Sequence, residues 1–213
     1  MSSPAPGGLW ILSAPSGGGK TSLAQALVPR LREHGIPAAR SVSYTTRPPR
    51  AGEAHGEHYH FIDEPGFAEM TERGEFLEHA TVFGRRYGTG RAETQRLLAA
   101  GVEVLLVIDW QGAQQVRARM PQAQSVFILP PSPAELERRL HRRGQDDPAV
   151  IAERMRAARE EMKHYAEYDY LIVNDVFERA LEELTALVLA RRLRREVQAV
   201  RHAALLRSLL DGE

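Results

Sequence analysis

A glycine-rich segment near the N-terminus constrains the fold of this chain more than any other feature. It reads Ala14-Pro15-Ser16-Gly17-Gly18-Gly19-Lys20-Thr21, and it lies between an apolar run at Leu9–Ser13 and a helical pattern that begins at Thr21. Glycines between a strand and a helix let successive backbone N–H groups point at phosphate oxygens, and the helix N-terminus adds partial positive charge. Lys20 supplies a charge for the outer phosphates, and the Thr21 hydroxyl can ligate Mg²⁺. The segment therefore predicts a P-loop, with a glycine-rich turn and a solvated lysine as the alternative.

The rest of the chain alternates between apolar runs and helical patterns. Further strands are predicted at residues 102–108, 125–129 and 170–173, each a continuous apolar run as expected for a parallel strand covered on both faces. Helices are predicted from residue 21 to Gly35, at 93–100, 111–119, 133–143 and 150–165, and as one long final helix from about 178 to 210. This alternation predicts an α/β fold in which a parallel P-loop sheet is flanked by helices and joined by right-handed crossovers.

Two segments interrupt the alternation. Residues 41–91 are rich in Gly, Pro, Tyr, His and Arg, and antiparallel strands are predicted there at 58–62 and 76–83, around a short helix at 65–73. Residues 136–156 have the pattern of an arginine-dense helix–turn–helix. We therefore expect a single domain made of a core, an inserted α+β lobe and a small helical lid. The core comprises residues 1–40, 92–135 and 157–213, the lobe about 41–91, and the lid about 136–156.

Composition excludes several classes of function. The 28 Lys and Arg residues balance the 28 Asp and Glu residues, which argues against a nucleic-acid or acidic-membrane partner. The chain has no cysteine, which removes disulfides, thiolate metal sites and cysteine nucleophiles. No apolar run approaches the roughly 18 residues that a membrane span requires. We expect a cytoplasmic protein, monomeric or homodimeric, that acts on small molecules.

An acidic residue ends the central apolar run. Asp109 follows Val104-Leu105-Leu106-Val107-Ile108, where a carboxylate on a strand near the P-loop would face a bound nucleotide. The same side chain could instead cap the N-terminus of the helix predicted from Gln111. The residues alone leave both interpretations open.

Several separated motifs, in the right order, resemble those of guanylate kinases of the bacterial type. They are Ser41-Val42-Ser43-Tyr44-Thr45-Thr46-Arg47-Pro48-Pro49-Arg50, Gly52-Glu53, Gly56-Glu57-His58-Tyr59, Phe76-Leu77-Glu78, Tyr87-Gly88-Thr89 and Ile108-Asp109-Trp110-Gln111-Gly112. The resemblance covers residues 9 to about 201. It implies transfer of the γ-phosphoryl group of ATP to GMP or dGMP, with Mg²⁺, in guanine nucleotide recycling and the supply of GTP and dGTP.

The resemblance also implies roles for individual residues. Four would clamp the GMP phosphate: Arg47, Arg50, Tyr59 and Tyr87. Four would read guanine: Ser43, Glu78, Thr89 and Asp109. The lid arginines that would reach the transferred phosphoryl group, beside Lys20 and Arg47, are Arg139, Arg143 and Arg154. Asn174 and Asp175 fall where the family holds adenine through backbone contacts. Val107 stands where many members have Asp, and Thr89 where many have Ser.

The chemistry of the reaction agrees with this residue set. The phosphate of GMP is already anionic, so its attack needs no general base, and catalysis consists of positioning and charge neutralisation, for which arginine is suited. A kinase for another small molecule is an alternative, but it should lack the pair Glu78 and Asp109. A non-catalytic phosphopeptide-binding module is another, but such modules typically lose the lysine that matches Lys20. Arg138 and Arg142 are interpreted as a solvated helix face.

Overall fold

Strands and helices alternate along most of the chain, as the apolar runs predict. The computed structural model describes residues 5–82, 84–142 and 148–211. Its strands are β1 (Leu9–Ser13), β2 (Ala38–Arg40), β3 (Tyr44–Thr45), β4 (His60–Phe61), β5 (Phe76–Val82), β6 (Arg85–Gly90), β7 (Glu103–Val107), β8 (Gln124–Leu129) and β9 (Tyr170–Val173). Its helices are α1 (Lys20–Glu33), α2 (Glu64–Glu72), α3 (Arg91–Ala99), α4 (Trp110–Arg119), α5 (Pro133–Arg142), α6 (Pro148–Met162), α7 (Phe177–Arg192), α8 (Arg195–Arg201) and α9 (Ala203–Asp211), with a 3₁₀ turn at Lys163–Glu167 after α6.

A five-stranded parallel sheet forms the central layer, in the order β2-β7-β1-β8-β9. Successive side chains of β1 point to opposite faces. Trp10 and Leu12 pack with the apolar stripes of α1 and α7, whereas Leu9 and Ile11 pack with residues of α3 and α4. Both faces of the sheet are therefore covered by helices, and the predicted fold class is confirmed.

A second sheet of four strands lies in the segment predicted as an inserted lobe, in the order β4-β3-β6-β5. Strand β3 pairs parallel with β4 and antiparallel with β6, and β6 pairs antiparallel with β5. Strands β4 and β5 therefore occupy opposite edges and run in the same direction. The prediction that they are antiparallel was wrong because two strands that the sequence pattern did not reveal lie between them.

A buried carboxylate ties the C-terminal end of α7 to the central sheet. Glu103 is fully buried, and it accepts hydrogen bonds from Trp10 Nε1 at 2.9 Å and from the backbone N–H of Gly8 at 3.0 Å. Arg191 and Arg192 bring guanidinium groups to its other oxygen, at 3.5 and 3.0 Å. The negative charge is thus paired by two cations, as a buried charge requires.

The C-terminal region is three helices rather than the single long helix predicted. The backbone is extended at Arg194 (φ −55°, ψ 139°), which separates α7 from α8, and His202 separates α8 from α9. The fully buried residues of α7 that pack against α1 and the sheet end at Val188, Leu189 is only partly buried, and Leu193 is 71% exposed. In the described chain after α7, neither α8 nor α9 has a buried residue, so no buried stripe extends α7 into a longer helix. No helix in the described part of the chain combines the length and apolar character needed to cross a bilayer.

Candidate active site

The glycine-rich segment forms a tight loop between β1 and α1. Gly17 and Gly19 adopt left-handed backbone conformations, with φ of 88° and 96°, and Gly19 is the N-cap of α1. The side chain of Asn174 donates a hydrogen bond to the carbonyl of Gly18 at 3.1 Å, and a Cβ on Gly19 would lie 2.4 Å from the Asn174 Nδ2 atom. Glycine is therefore required at position 19 by both its backbone conformation and its neighbour.

A cavity of about 280 Å³ opens between this loop and the second sheet. It is lined by Pro15, Ser16, Gly17, Gly19, Lys20, Thr21, Ser43, Tyr59, Glu78, Ala80, Val82, Tyr87, Val107, Ile108, Asp109 and Glu161. Most of the P-loop and five of the eight residues predicted for GMP thus face one space. The predicted residues that do not line it are Ala14, Gly18, Arg47, Arg50, Thr89, Arg139, Arg154 and Asn174.

Glu78 is a buried carboxylate that lines this cavity. It is 3% exposed, and it accepts a hydrogen bond from the hydroxyl of the fully buried Thr89 at 2.6 Å. Burial raises the pKa of Glu78 to about 7, against the lowering effect of the Thr89 hydrogen bond, and the nearby Asp109 raises it further. A Cβ on Gly112 would lie 2.5 Å from Glu78 Oε2. The carboxylate is therefore recessed against the first turn of α4.

Asp109 lies at the junction of β7 and α4. Its Oδ1 atom accepts a hydrogen bond from the backbone N–H of Gly112 at 2.9 Å, which makes it the N-cap of α4. The same residue lines the cavity. Capping is thus confirmed, and it does not exclude the predicted contact with nucleotide, because a carboxylate has two oxygens.

Side chains of the second sheet and its loops hold Arg47 near two tyrosines. The Arg47 guanidinium donates to both carboxylate oxygens of Glu53 at 2.9 Å, and it lies 5.4 Å from the centre of the Tyr59 ring. The Tyr59 and Tyr87 rings are in edge contact, with centroids 6.0 Å apart. Burial opposes the charge of Arg47, but hydrogen bonds with Glu53 and Tyr87 leave its pKa raised. Glu53 also accepts from the backbone N–H of Arg50 at 2.8 Å, which lowers the pKa of Glu53.

The lid arginines are not brought to the cavity within the described part of the chain. Arg139 donates from Nε to Glu135 at 2.7 Å and from its guanidinium to the carbonyl of Asn174 at 2.9 Å. Arg154 lies in α6 and does not line the cavity. Arg143 lies outside the described residues. Their contact with the transferred phosphoryl group stays a prediction.

Sequence reasoning missed one charged residue of the site, Glu161. It lines the cavity from the last turn of α6 and accepts a hydrogen bond from the backbone N–H of Ser16 at 2.9 Å. Burial raises the pKa of Glu161, whereas the Ser16 hydrogen bond and Lys20 lower it. In the sequence it is one of two adjacent glutamates in a charged helical stretch, which is the usual pattern of a solvated surface. The sequence carries no local signal that distinguishes Glu161 from Glu160.

Comparison with known proteins identifies the family. A family model described as guanylate kinase matches residues 7–191. Guanylate kinases from Salmonella choleraesuis and from Escherichia coli (strain K12) are each 57% identical over 206 residues, which is 97% of this chain and 99% of theirs. The crystal structure of guanylate kinase from Anaplasma phagocytophilum is similar with a TM-score of 0.74 at 32% identity, over 95% of this chain and 97% of that one. The chain therefore belongs to the guanylate kinase family of ATP:GMP phosphotransferases.

Proposed function

We propose that the cavity between the P-loop and the second sheet is where the chain transfers the γ-phosphoryl group of ATP to GMP, giving ADP and GDP. The observation that carries the proposal is that Lys20 and Thr21 line the same cavity as Glu78. A glycine-rich loop with a lysine and a buried acceptor of hydrogen bonds thus line one space. This is the arrangement that a reaction between two nucleotides requires, because the reacting groups must be brought together in one orientation.

The P-loop half is assigned to ATP. Backbone N–H groups of residues 14–21 and the N-terminus of α1 would bind the phosphates, and Lys20 would neutralise the charge that develops during transfer. Asn174 supports this half in two ways. Its side chain fixes the Gly18 carbonyl, and its own backbone carbonyl lies at the end of β9, beside the loop.

The lobe half is assigned to GMP. An ionised Glu78 accepts hydrogen bonds only, and guanine offers it two adjacent donors, the N1–H and the 2-amino group. Ser43, Thr89 and Asp109 would complete the recognition of the base. The phosphate of GMP would be clamped by Arg47, Arg50, Tyr59 and Tyr87. The pairing of Arg47 with Glu53 supports this role, since it leaves the guanidinium oriented beside both tyrosines.

The chemical step needs no proton abstraction, because a phosphate oxygen of GMP is already anionic. The protein must place this oxygen in line with the γ-phosphorus and neutralise the combined charge of two nucleotides. Lys20 does so from the P-loop and Arg47 from the lobe. We propose that Arg139, Arg143 and Arg154 join them when the lid closes, which requires Arg139 to leave Glu135 and the Asn174 carbonyl.

The oxygen donors of the cavity fit Mg²⁺. Thr21 contributes a hydroxyl and Asp109 a carboxylate, which are the hard ligands that this ion prefers. Within the described residues no group of three or more His, Cys, Asp or Glu side chains could hold a metal by itself. The ion would therefore bind together with the nucleotide, with Thr21 as its protein ligand, and would polarise the phosphoryl oxygens of ATP. Because the sequence has no cysteine, we further propose a cytoplasmic location.

A coupled assay of ADP release tests the proposed function. The purified chain is given ATP and Mg²⁺ with GMP, dGMP, AMP, CMP or UMP in turn. We expect rapid turnover with GMP, slower turnover with dGMP, and at least about 10⁴-fold lower kcat/KM with AMP, because a site built to bond a group rejects an analogue that lacks it. Comparable rates with AMP and GMP would refute the assignment of Glu78. No ADP release with any acceptor would refute the cavity as the reaction site.

A further inference from the structure

Glu161 occupies a contact that a phosphate could make. Its carboxylate accepts the backbone N–H of Ser16 at 2.9 Å, and Ser16 is the third residue of the P-loop. Backbone N–H groups of such loops are the donors that bind anions. A side-chain carboxylate and an incoming polyphosphate thus compete for the same face of the loop.

The charges around Glu161 strengthen this competition. Lys20, from α1, favours the ionised carboxylate, whereas Asp109, from the end of β7, disfavours it. All three side chains line one cavity of about 280 Å³. A nucleoside triphosphate brings several further negative charges into this cavity. At separations of a few ångströms, like charges in a partly buried site repel strongly, because the effective dielectric constant there is lower than in water.

Among the described residues, α5 and α6 both contact the P-loop, and Glu161 of α6 makes a polar contact. The apolar contact is made by α5, since a Cβ on Gly17 would lie 3.0 Å from Leu136 and 3.1 Å from Leu140. These two leucines also form a buried cluster with Ala158 of α6. Ala158 precedes Glu161 by one helical turn. A displacement of Glu161 would therefore be transmitted directly to the packing between α5 and α6.

The chain is anchored immediately after α6. The His164 ring stacks on Trp110, with centroids 3.7 Å apart and planes at 8°. Glu167 contacts His164 Nδ1 at 2.6 Å and accepts from Gln114 Nε2 at 2.9 Å. Trp110 and Gln114 both belong to α4, which packs on the central sheet. This cluster fixes the C-terminal end of α6, three residues beyond Glu161. Loss of the Ser16 contact would therefore leave α6 held at the stacked rings, and its N-terminal end would be the part that moves.

We propose that Glu161 is an internal competitor of nucleotide phosphate: its carboxylate holds α6 on the empty P-loop, and the polyphosphate of the entering nucleoside triphosphate displaces it and releases α6. The inference rests on the proposed function only in that a polyphosphate enters the P-loop. It assigns to Glu161 a role in setting nucleotide affinity and lid position, and no part in the chemical step.

Calorimetric titration with inorganic tripolyphosphate and with ATP tests the competition. Glu161→Gln removes the charge and keeps an oxygen acceptor for Ser16. Its matched control is Glu160→Gln, which removes the charge of the adjacent, exposed glutamate that pairs with Lys163. We expect Glu161→Gln to bind tripolyphosphate about tenfold more tightly than wild type, which corresponds to about 1.4 kcal/mol. Glu160→Gln should stay within about twofold, as expected of a screened surface charge.

Hydrogen exchange of α6 tests the displacement. In wild type, tripolyphosphate should speed exchange in α6, whereas free Glu161→Gln should already exchange faster than free wild type. Equal or weaker polyphosphate binding by folded Glu161→Gln would overturn the proposal, as would α6 exchange that neither ligand nor variant changes. If Glu161→Gln does not fold, Glu161→Asp serves instead, because its shorter carboxylate should loosen the Ser16 contact and speed exchange of α6. Failure of wild type to bind either polyphosphate would count against the proposed function instead.

Discussion

The core and the lobe build their halves of the site in opposite ways. In the core, the groups proposed to bind phosphate belong to the backbone of a loop held between β1, all of whose residues are buried, and the buried stripe of α1. In the lobe, the functional groups are side chains that orient one another, Arg47 through Glu53 and Glu78 through Thr89. A site made of backbone depends on the stability of the fold, whereas a site made of paired side chains depends on single residues and on pH.

The largest expected effect concerns the stability of the core. Replacing Glu103 with alanine leaves Arg191, Arg192 and the Trp10 indole without their buried acceptor. We expect the free energy of unfolding to fall by about 3–5 kcal/mol, as is typical when one partner of a buried ion pair is removed. Urea denaturation followed by circular dichroism measures this. Glu103→Gln keeps the acceptor for Trp10 and should lose less. A loss below about 1 kcal/mol for alanine would mean that the network contributes little.

The next effect is the loss of phosphoryl transfer in Lys20→Met. Lys20 lines the cavity at the start of α1, where the charge of the transferred group must be neutralised. Turnover should fall by at least about 100-fold, or roughly 3 kcal/mol, with the fold unchanged. Lys163 is the other lysine of the sequence, it is exposed, and Lys163→Met is the matched control. If Lys20→Met keeps more than about a tenth of the wild-type turnover, the P-loop assignment is wrong.

On the lobe side, Glu78→Gln should damage recognition of guanine. The charged acceptor is lost, so kcat/KM for GMP should fall by at least about 100-fold, and the preference for GMP over AMP should shrink with it. Steady-state kinetics with both substrates decide the matter. The control is Glu75→Gln, at an exposed glutamate three residues away that pairs with Arg73. An unchanged GMP/AMP ratio in Glu78→Gln would make Glu78 structural.

The smallest expected effect is the pH dependence of GMP binding. Burial raises the pKa of Glu78 to about 7, above its unfolded value, so the folded protein holds a proton there between about pH 4.5 and 7. In this interval the stability of the free protein should decline as pH rises, whereas GMP binding should improve, because guanine needs the ionised carboxylate. Between pH 8 and pH 6 the KM for GMP should rise about tenfold. Glu78→Gln should lack this change and retain only the titration of the GMP phosphate. If the KM for GMP depends on pH equally in wild type and in Glu78→Gln, the assignment of Glu78 to guanine is contradicted.

Apolar periodicity predicted the core more reliably than the lobe. Strands β1 and β9 have the predicted limits because each is a continuous apolar run. The prediction that β9 is covered on both faces was wrong, because β9 is an edge strand in which Leu171 and Val173 are exposed. Strand β2 was missed because it has only three residues, and β3 and β6 because one has two residues and the other is composed of Arg, Tyr, Gly and Thr. Their formation depends on pairing with distant strands, which a local pattern does not contain.

The residues of the candidate site also differ in how well the sequence predicts them. The P-loop can be predicted from one contiguous motif. Glu78 and Arg47 lie in separated motifs, and only the resemblance to a known family indicated them. Glu161 and Glu53 owe their positions to tertiary contacts with Ser16 and Arg47. Glu53 lies in a motif that the resemblance indicated, whereas only the folded chain distinguishes Glu161 from a solvated carboxylate.

If Glu78 binds guanine as proposed, the close approach of Gly112 to Glu78 makes base selectivity depend on two positions far apart in the sequence. Gly112 is helical, and alanine would ordinarily favour a helix at such a place. Here the added methyl group would meet Glu78 Oε2 at 2.5 Å, so the carboxylate would have to move toward the cavity. A directed-evolution library for other nucleobases should therefore vary positions 112 and 78 together. A variant with a side chain at position 112 would bind guanine poorly, although none of the residues assigned to the base had changed.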